Sequence, residues 1–170
     1  MASLNDPTDA FLQHVDAHRG ILGKVVRSYA WNQADREDLE QEILVQLWRA
    51  WPKYDPARKF STWMYRIALN VAISQWRRQA HRPETTVETL PDPLVTTPDR
   101  ADQQEQIALL HQFLNGLESL PRALMLLYLE GYSHAEIGDA LGISTSNVGT
   151  RVHRIKQQLK QFFDHVYSTT

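Results

Sequence analysis

Residues 131–154 read Gly131-Tyr132-Ser133-His134-Ala135-Glu136-Ile137-Gly138-Asp139-Ala140-Leu141-Gly142-Ile143-Ser144-Thr145-Ser146-Asn147-Val148-Gly149-Thr150-Arg151-Val152-His153-Arg154. Ser133 and Glu136 stand at capping-box spacing, which predicts a short helix running to Leu141. Gly142 can then adopt the left-handed turn conformation, and Ser144 can cap a second helix from Thr145 onward. In that second helix Val148, Val152, Ile155 and Leu159 recur at three or four, leaving Asn147, Thr150, Arg151 and Arg154 on the outward side. A short helix, a glycine turn and a polar, basic helix make the helix-turn-helix pattern that enters a DNA major groove. A helical hairpin with a merely solvated basic face would show the same pattern.

Upstream, Leu109, Leu110, Phe113, Leu114 and Leu117 form one amphipathic helix. Another starts at Ser119-Leu120-Pro121, where a first-turn proline is tolerated, and continues through Leu124, Leu127 and Tyr128 to Gly131. Before these helices, Pro83, Pro91, Pro93 and Pro98 lie among five threonines and interrupt any helical pattern between about Arg82 and Arg100. That stretch reads as a tether. No segment alternates with period two, so the fold class is all-α. The expected organisation is two small helical domains, 8–81 and 104–166, joined by a flexible, acidic Pro/Thr linker over 82–103.

In the first half, Phe11, Leu12, Val15, Ile21, Leu22, Val25, Val26 and Tyr29 supply the apolar positions of a first helical segment weakened by Gly20 and Gly23. His14 and His18, four apart, could face one metal ion, but no motif completes a coordination shell, and two solvated histidines are the expected alternative. A helix from about Asp35 to Trp51 carries a buried stripe of Leu39, Ile43, Leu47 and Ala50. Asp38, Gln41, Glu42, Val45 and Arg49 share a different face. That face is either a docking surface or a solvated one, because acids near a helix N-terminus are favoured by the macrodipole in any case. After the turn-forming Pro52-Lys53-Tyr54-Asp55-Pro56, a helix is expected from about Ser61 to Arg78. Trp63, Ile67, Asn70, Ser74 and Arg77 lie on one of its faces, and Tyr65, Leu69, Ala72 and Trp76 on another. Rings and amides interleaved with arginine suit single-stranded nucleic acid, and equally a core helix with a solvated basic end.

The 170 residues carry a formal net charge of −2, yet the signs are segregated. Asp35, Glu37, Asp38, Glu40 and Glu42 face one base, Arg36. From Arg58 to Arg82 six bases occur with no acid between them, and Arg151, Arg154, Lys156 and Lys160 form a second basic stretch. With no cysteine, disulfides, thiolate metal sites and cysteine nucleophiles are excluded. No apolar run approaches the ~20 residues needed to span a bilayer, and Met1 to Pro7 lack a signal-peptide pattern, so no membrane insertion and a cytoplasmic location are expected. No constellation of carboxylates or histidines is arranged for catalysis, so no enzyme activity, catalytic residue, metal or cofactor is expected.

Taken together and in this order, the motifs resemble the extracytoplasmic-function (ECF) sigma factors of bacterial RNA polymerase. Asp38-Leu39-Glu40-Gln41-Glu42 through Leu47-Trp48-Arg49-Ala50 is similar to that family's polymerase-docking helix. Phe60-Ser61-Thr62-Trp63-Met64-Tyr65-Arg66-Ile67-Ala68-Leu69-Asn70 is similar to its promoter-melting helix. Leu120-Pro121-Arg122, Gly131 through Gly138, and Val148 through Arg154 resemble its helix-turn-helix domain. The resemblance implies that the first domain is sigma domain two and the second sigma domain four. It implies polymerase binding by Asp38, Gln41, Glu42 and Trp48. Tyr54 and Asn70 would line a pocket for a base flipped from the minus-10 element, with Trp63, Arg77 and Arg78 supporting the strand. Ser146, Asn147, Thr150, Arg151, His153 and Arg154 would enter the minus-35 major groove, and Lys156 would meet phosphate. Gly149 departs from the longer side chain common at its position, and Ser74 from a common carboxylate. The implied partners are core RNA polymerase, promoter DNA as duplex and as melted strand, and an anti-sigma factor where one exists. The implied function is that of a dissociable sigma subunit that directs promoter recognition, melting and initiation. A stand-alone helix-turn-helix regulator is the alternative, and it predicts operator binding without polymerase.

Overall fold

The computed structural model describes residues 6–80 and 101–169, which form eight α-helices and no strand. The helices fall into two compact units, α1–α4 and α5–α8. The linker expected over 82–103 lies outside the described residues, except that its last three positions already belong to α5.

Where one amphipathic segment is expected at the start, the chain forms two helices, α1 (Pro7–Ala17) and α2 (Arg19–Tyr29). Asp6 caps α1 by accepting from the Thr8 amide at 3.0 Å, and Pro7 occupies the first position, where no amide is needed. The break falls at His18, beside the helix-weakening Gly20. It lets α1 lay Phe11 edge-on against Trp48 and Trp51, with ring centroids at 5.1 and 5.6 Å. The second helix buries Ile21, Leu22, Val25, Val26 and Tyr29 on one side.

Helix α3 (Gln33–Ala50) starts two residues before its predicted position, because Asn32 caps it through the Asp35 amide at 2.8 Å. Leu39, Ile43 and Leu47 are buried as their spacing predicts, and Ala50 is half-buried. A 3-10 turn at Trp51–Lys53, containing Pro52, ends the run. Helix α4 (Phe60–Ala80) buries Met64, Tyr65, Ala68, Leu69, Ala72 and Ile73 against α2 and α3. Removing a fully buried side chain such as Leu69 from water is worth ~1.5–3 kcal/mol, and this shared core fixes which face of α4 stays open.

The second unit contains α5 (Ala101–Asn115), α6 (Ser119–Leu129), α7 (His134–Leu141) and α8 (Thr145–Ser168). Phe113 of α5 meets Phe162 of α8 at 5.7 Å. Arg122 is only 4% exposed, and its Nη2 donates to the carbonyls of Asn115 and Leu117 at 2.6 and 2.9 Å. It thereby satisfies acceptors at the end of α5 that a helix leaves orphaned. The capping box of α7 forms reciprocally: the Ser133 side chain accepts from the Glu136 amide, and Glu136 accepts from the Ser133 amide. Gly142 takes φ +71°, the left-handed turn, and the Ile143 amide returns to the Gly138 carbonyl at 3.1 Å. Ser144 then caps α8 by accepting from the Asn147 amide.

Candidate nucleic-acid and docking interfaces

On α3 the 3.6-residue period places Asp38, Gln41, Glu42, Val45 and Arg49 opposite the buried Leu39–Ile43–Leu47 stripe, and all five are exposed. Val45 and Trp48 remain 43% and 44% exposed, and Leu12 of α1 is 51% exposed. This face of α3 is therefore an acidic surface with apolar members. Phe11, which braces the Trp48 ring from α1, is a contribution no α3 periodicity could reveal.

The aromatic helix α4 turns its two faces in opposite directions. Tyr65, Leu69 and Ala72 are buried, while Asn70, Ser74, Arg77 and Arg78 are exposed and Trp63 is half-buried. Trp76 is half-buried as well, edge-on to Tyr29 and Trp31. The outward face thus carries the mixture of ring, amide and guanidinium that suits an unpaired strand.

Tyr54 belongs to a dense aromatic cluster. Its ring stacks on Trp51 at 5.3 Å with 15° between planes, and Trp63, Phe60 and His14 lie at 4.9, 5.6 and 6.3 Å. Its hydroxyl donates to the Arg58 carbonyl at 2.9 Å, closing the loop that Asp55 also stabilises by accepting from the Ala57 amide. His14 and His18 are part of this cluster and are half-buried, not solvated. Each Nδ1–H donates to a carbonyl one turn back, Ala10 and His14 respectively, at 2.8 Å, and their rings pack on Phe60 at 5.1 and 4.8 Å. No group of three metal-ligating side chains occurs among the described residues.

Asn70 stands about two helical turns beyond Trp63 on α4. It lines a cleft of about 370 Å³ between α3 and α4, together with Glu42, Gln46, Ala50, Ile67, Val71, Ser74 and Arg78. Seven residues separate Asn70 from Trp63 on α4, a rise of ~10 Å. Tyr54 thus packs with Trp63, and Asn70 shares the α3–α4 cleft with Arg78.

On α8, Val148, Val152 and Ile155 are buried, and Ser146, Thr150, His153, Arg154 and Lys156 are exposed. Arg151 is half-buried, its Nε donating to Asn147 Oδ1 at 2.9 Å, an i,i+4 pair that holds both side chains in place. Arg151 and Arg154 line a cleft of about 390 Å³ with Gly116, Leu117, Glu118 and Pro121 at the α5–α6 corner. Lys156 lies on the other flank, its Nζ 4.6 Å from the centre of the Tyr128 ring. Gly149 faces α7: a Cβ placed there would stand 3.5 Å from Nδ1 of His134.

Comparison with known proteins matches residues 14–82 to Sigma-70 region 2 and residues 107–159 to Sigma-70 region 4. Those regions define the class: a sigma factor that carries region 2 and region 4. The chain is 31% identical to the RNA polymerase sigma factor CarQ of Myxococcus xanthus, covering 90% of this chain and 86% of that protein. It is 34% identical to the ECF RNA polymerase sigma factor SigE of Mycolicibacterium smegmatis over 87% of this chain, and spans 59% of that longer protein. Among solved structures, CnrH in complex with the cytosolic domain of CnrY superposes with a TM-score of 0.66 at 25% identity, covering 93% of this chain and 90% of that one. The chain belongs to the extracytoplasmic-function sigma factors, non-enzymatic subunits that direct transcription initiation by bacterial RNA polymerase.

Proposed function

We propose that residues 8–81 act as sigma domain two and residues 104–166 as sigma domain four, tethered through 82–103. Asp38, Gln41, Glu42 and Trp48 dock on core RNA polymerase, with Val45 and Leu12 adding apolar contact area. Tyr54 and Asn70 hold one base flipped from the minus-10 element, by stacking and by a hydrogen bond to its edge, and Trp63, Arg77 and Arg78 support the strand. Ser146, Asn147, Thr150, Arg151, His153 and Arg154 meet the minus-35 duplex, and Lys156, held over Tyr128, reaches the backbone on one side of the groove. The chain catalyses no reaction itself and works in the cytoplasm, where its polymerase is. CnrH is solved with the cytosolic domain of CnrY, and an anti-sigma factor is proposed as a partner here on that likeness.

The observation that carries this reading is the division of α4, which buries Tyr65, Leu69 and Ala72 and leaves Trp63, Asn70, Arg77 and Arg78 open to a strand. A simple duplex-binding regulator has no use for such a face. The test is to add the purified chain to core polymerase and look for promoter-specific transcripts. Operator binding without polymerase, together with no transcripts, would refute it.

A further inference from the structure

His134 is the first residue of α7, and its ring lies beside Gly149, the one residue of α8 without a side chain. A Cβ on Gly149 would meet Nδ1 and Cε1 of His134 at 3.5 and 3.8 Å, so the imidazole occupies the space that a side chain at 149 would take. The ring packs on Tyr128 at 6.3 Å with 38° between planes, and the ammonium of Lys156 sits over that same tyrosine. Tyr128 therefore holds one cation-forming side chain from α7 and one cation from α8. Helical period sets Gly149, His153, Lys156 and Lys160 on a common flank of α8, separate from the flank of Asn147, Arg151 and Arg154. Neither ring nitrogen of His134 hydrogen-bonds to any described residue, whereas His14 and His18 both commit their Nδ1–H to carbonyls.

We propose that His134 is a further promoter-contacting residue, reaching across Gly149 to a phosphate on the Lys156 side of the minus-35 groove, and contacting it most strongly when protonated. The proposal rests on the assignment of α8 as the helix that enters that groove. A protonated imidazole offers a charge-assisted donor to phosphate, and histidine is the side chain that changes charge near neutral pH. The titratable and charged groups on the elements packed around it are Arg122 and Tyr128 on α6, Glu136 and Asp139 on α7, and Arg151, His153, Arg154, Lys156, Lys160, Asp164 and His165 on α8, with Glu130 and Tyr132 between α6 and α7. Glu136 is engaged with the Ser133 amide, and Lys156 lies over Tyr128.

The test uses holoenzyme made from core polymerase and the full chain, with a promoter duplex that this holoenzyme selects from genomic fragments. Affinity is measured at about pH 6 and about pH 8, bracketing histidine titration, for wild type, His134→Gln and His134→Lys. One added phosphate contact steepens the log–log salt slope by ~0.9 and is worth up to about fivefold at ~0.15 M salt. Wild type should gain up to about fivefold more than His134→Gln on acidification, the effect of that one contact. His134→Lys at the higher pH should match wild type at the lower. Identical pH profiles and salt slopes for wild type and His134→Gln overturn the proposal. If Arg151→Ala also leaves affinity unchanged, it is the α8 assignment that has failed, and the role of His134 falls with it.

Discussion

Two glycines within the helix-turn-helix unit should respond in opposite directions to the same added methyl group. Gly138 and Gly149 both lie inside helices, where alanine is intrinsically better than glycine by ~1 kcal/mol. At Gly149 the new Cβ would stand 3.5 Å from His134 Nδ1, an ordinary contact, so most of that gain should be kept. At Gly138 it would stand 2.6 Å from the carbonyl oxygen of Ile143, which is backbone. That carbonyl cannot drift away freely, because the Ile143 amide bonds to the Gly138 carbonyl at 3.1 Å and Ser144 caps the next helix. Forced overpacking of this kind costs ~1–3 kcal/mol, which outweighs the propensity gain. Gly149→Ala should raise the melting temperature of this unit by about 3–6 °C, and Gly138→Ala should lower it by a similar or larger amount. The full chain carries its own control. All five tryptophans lie between Trp31 and Trp76, so tryptophan fluorescence follows the first unit while far-ultraviolet circular dichroism follows both. The dichroism transition should move with each variant and the fluorescence transition should not. Shifts of one sign for both variants would show that the turn between α7 and α8 does not exclude a side chain at 138.

Charge reversal at Asp38 and Glu42 should abolish association with core polymerase while leaving helical content unchanged, since both are exposed; retained affinity in a pull-down would remove α3 from the interface. Arg151→Ala and Arg154→Ala should each weaken minus-35 duplex binding by ~1–3 kcal/mol if the arginine contacts a base, and an unaltered footprint over that element would show α8 misassigned. Tyr54→Ala and Asn70→Ala should leave polymerase and minus-35 binding nearly intact but reduce permanganate reactivity of thymines near the start site. A premelted bubble should restore part of the loss, because an unpairing cost of ~a few kcal/mol is already met. Normal opening by both variants would exclude these residues from strand capture.

The elements that could be read from the chain were those set by neighbours in sequence. The Ser133–Glu136 box, Gly142 and the Ser144 cap determine where α7 ends and α8 begins without help from the rest of the fold. The buried stripes of α3 and α8 followed from a 3.6-residue period. What stayed hidden depended on contacts distant in sequence. The break at His18 places Phe11 on Trp48 and Trp51, which are more than thirty residues away. His14 and His18 read as a weak metal pair or as solvated, because nothing local shows that Trp51, Tyr54 and Phe60 will surround them. Arg122 read as part of a motif, and its burial against the α5 carbonyls appears only once α5 and α6 pack. The spacing of Tyr54 and Asn70 likewise depends on the path of the 54–59 loop, which no periodicity specifies.

Glu42 sits on the acidic outward face of α3, yet it also lines the cleft that holds Asn70 and Arg78, where Gln46 donates to its carboxylate at 2.8 Å. A carboxylate at the rim of a strand-binding cleft opposes phosphate, and within a Debye length of ~8 Å that opposition is only partly screened. On the proposed assignment, removing the charge should weaken docking and at the same time make the cleft more favourable to DNA, so a Glu42 variant should mix two effects of opposite sign. Asp38, Gln41 and Trp48 do not line the cleft and report docking alone. A defect that appears at Asp38 and Trp48 but is smaller at Glu42 would be the signature of a residue shared between the polymerase surface and the melted strand. Equal defects at all three positions would mean that the cleft carries no strand.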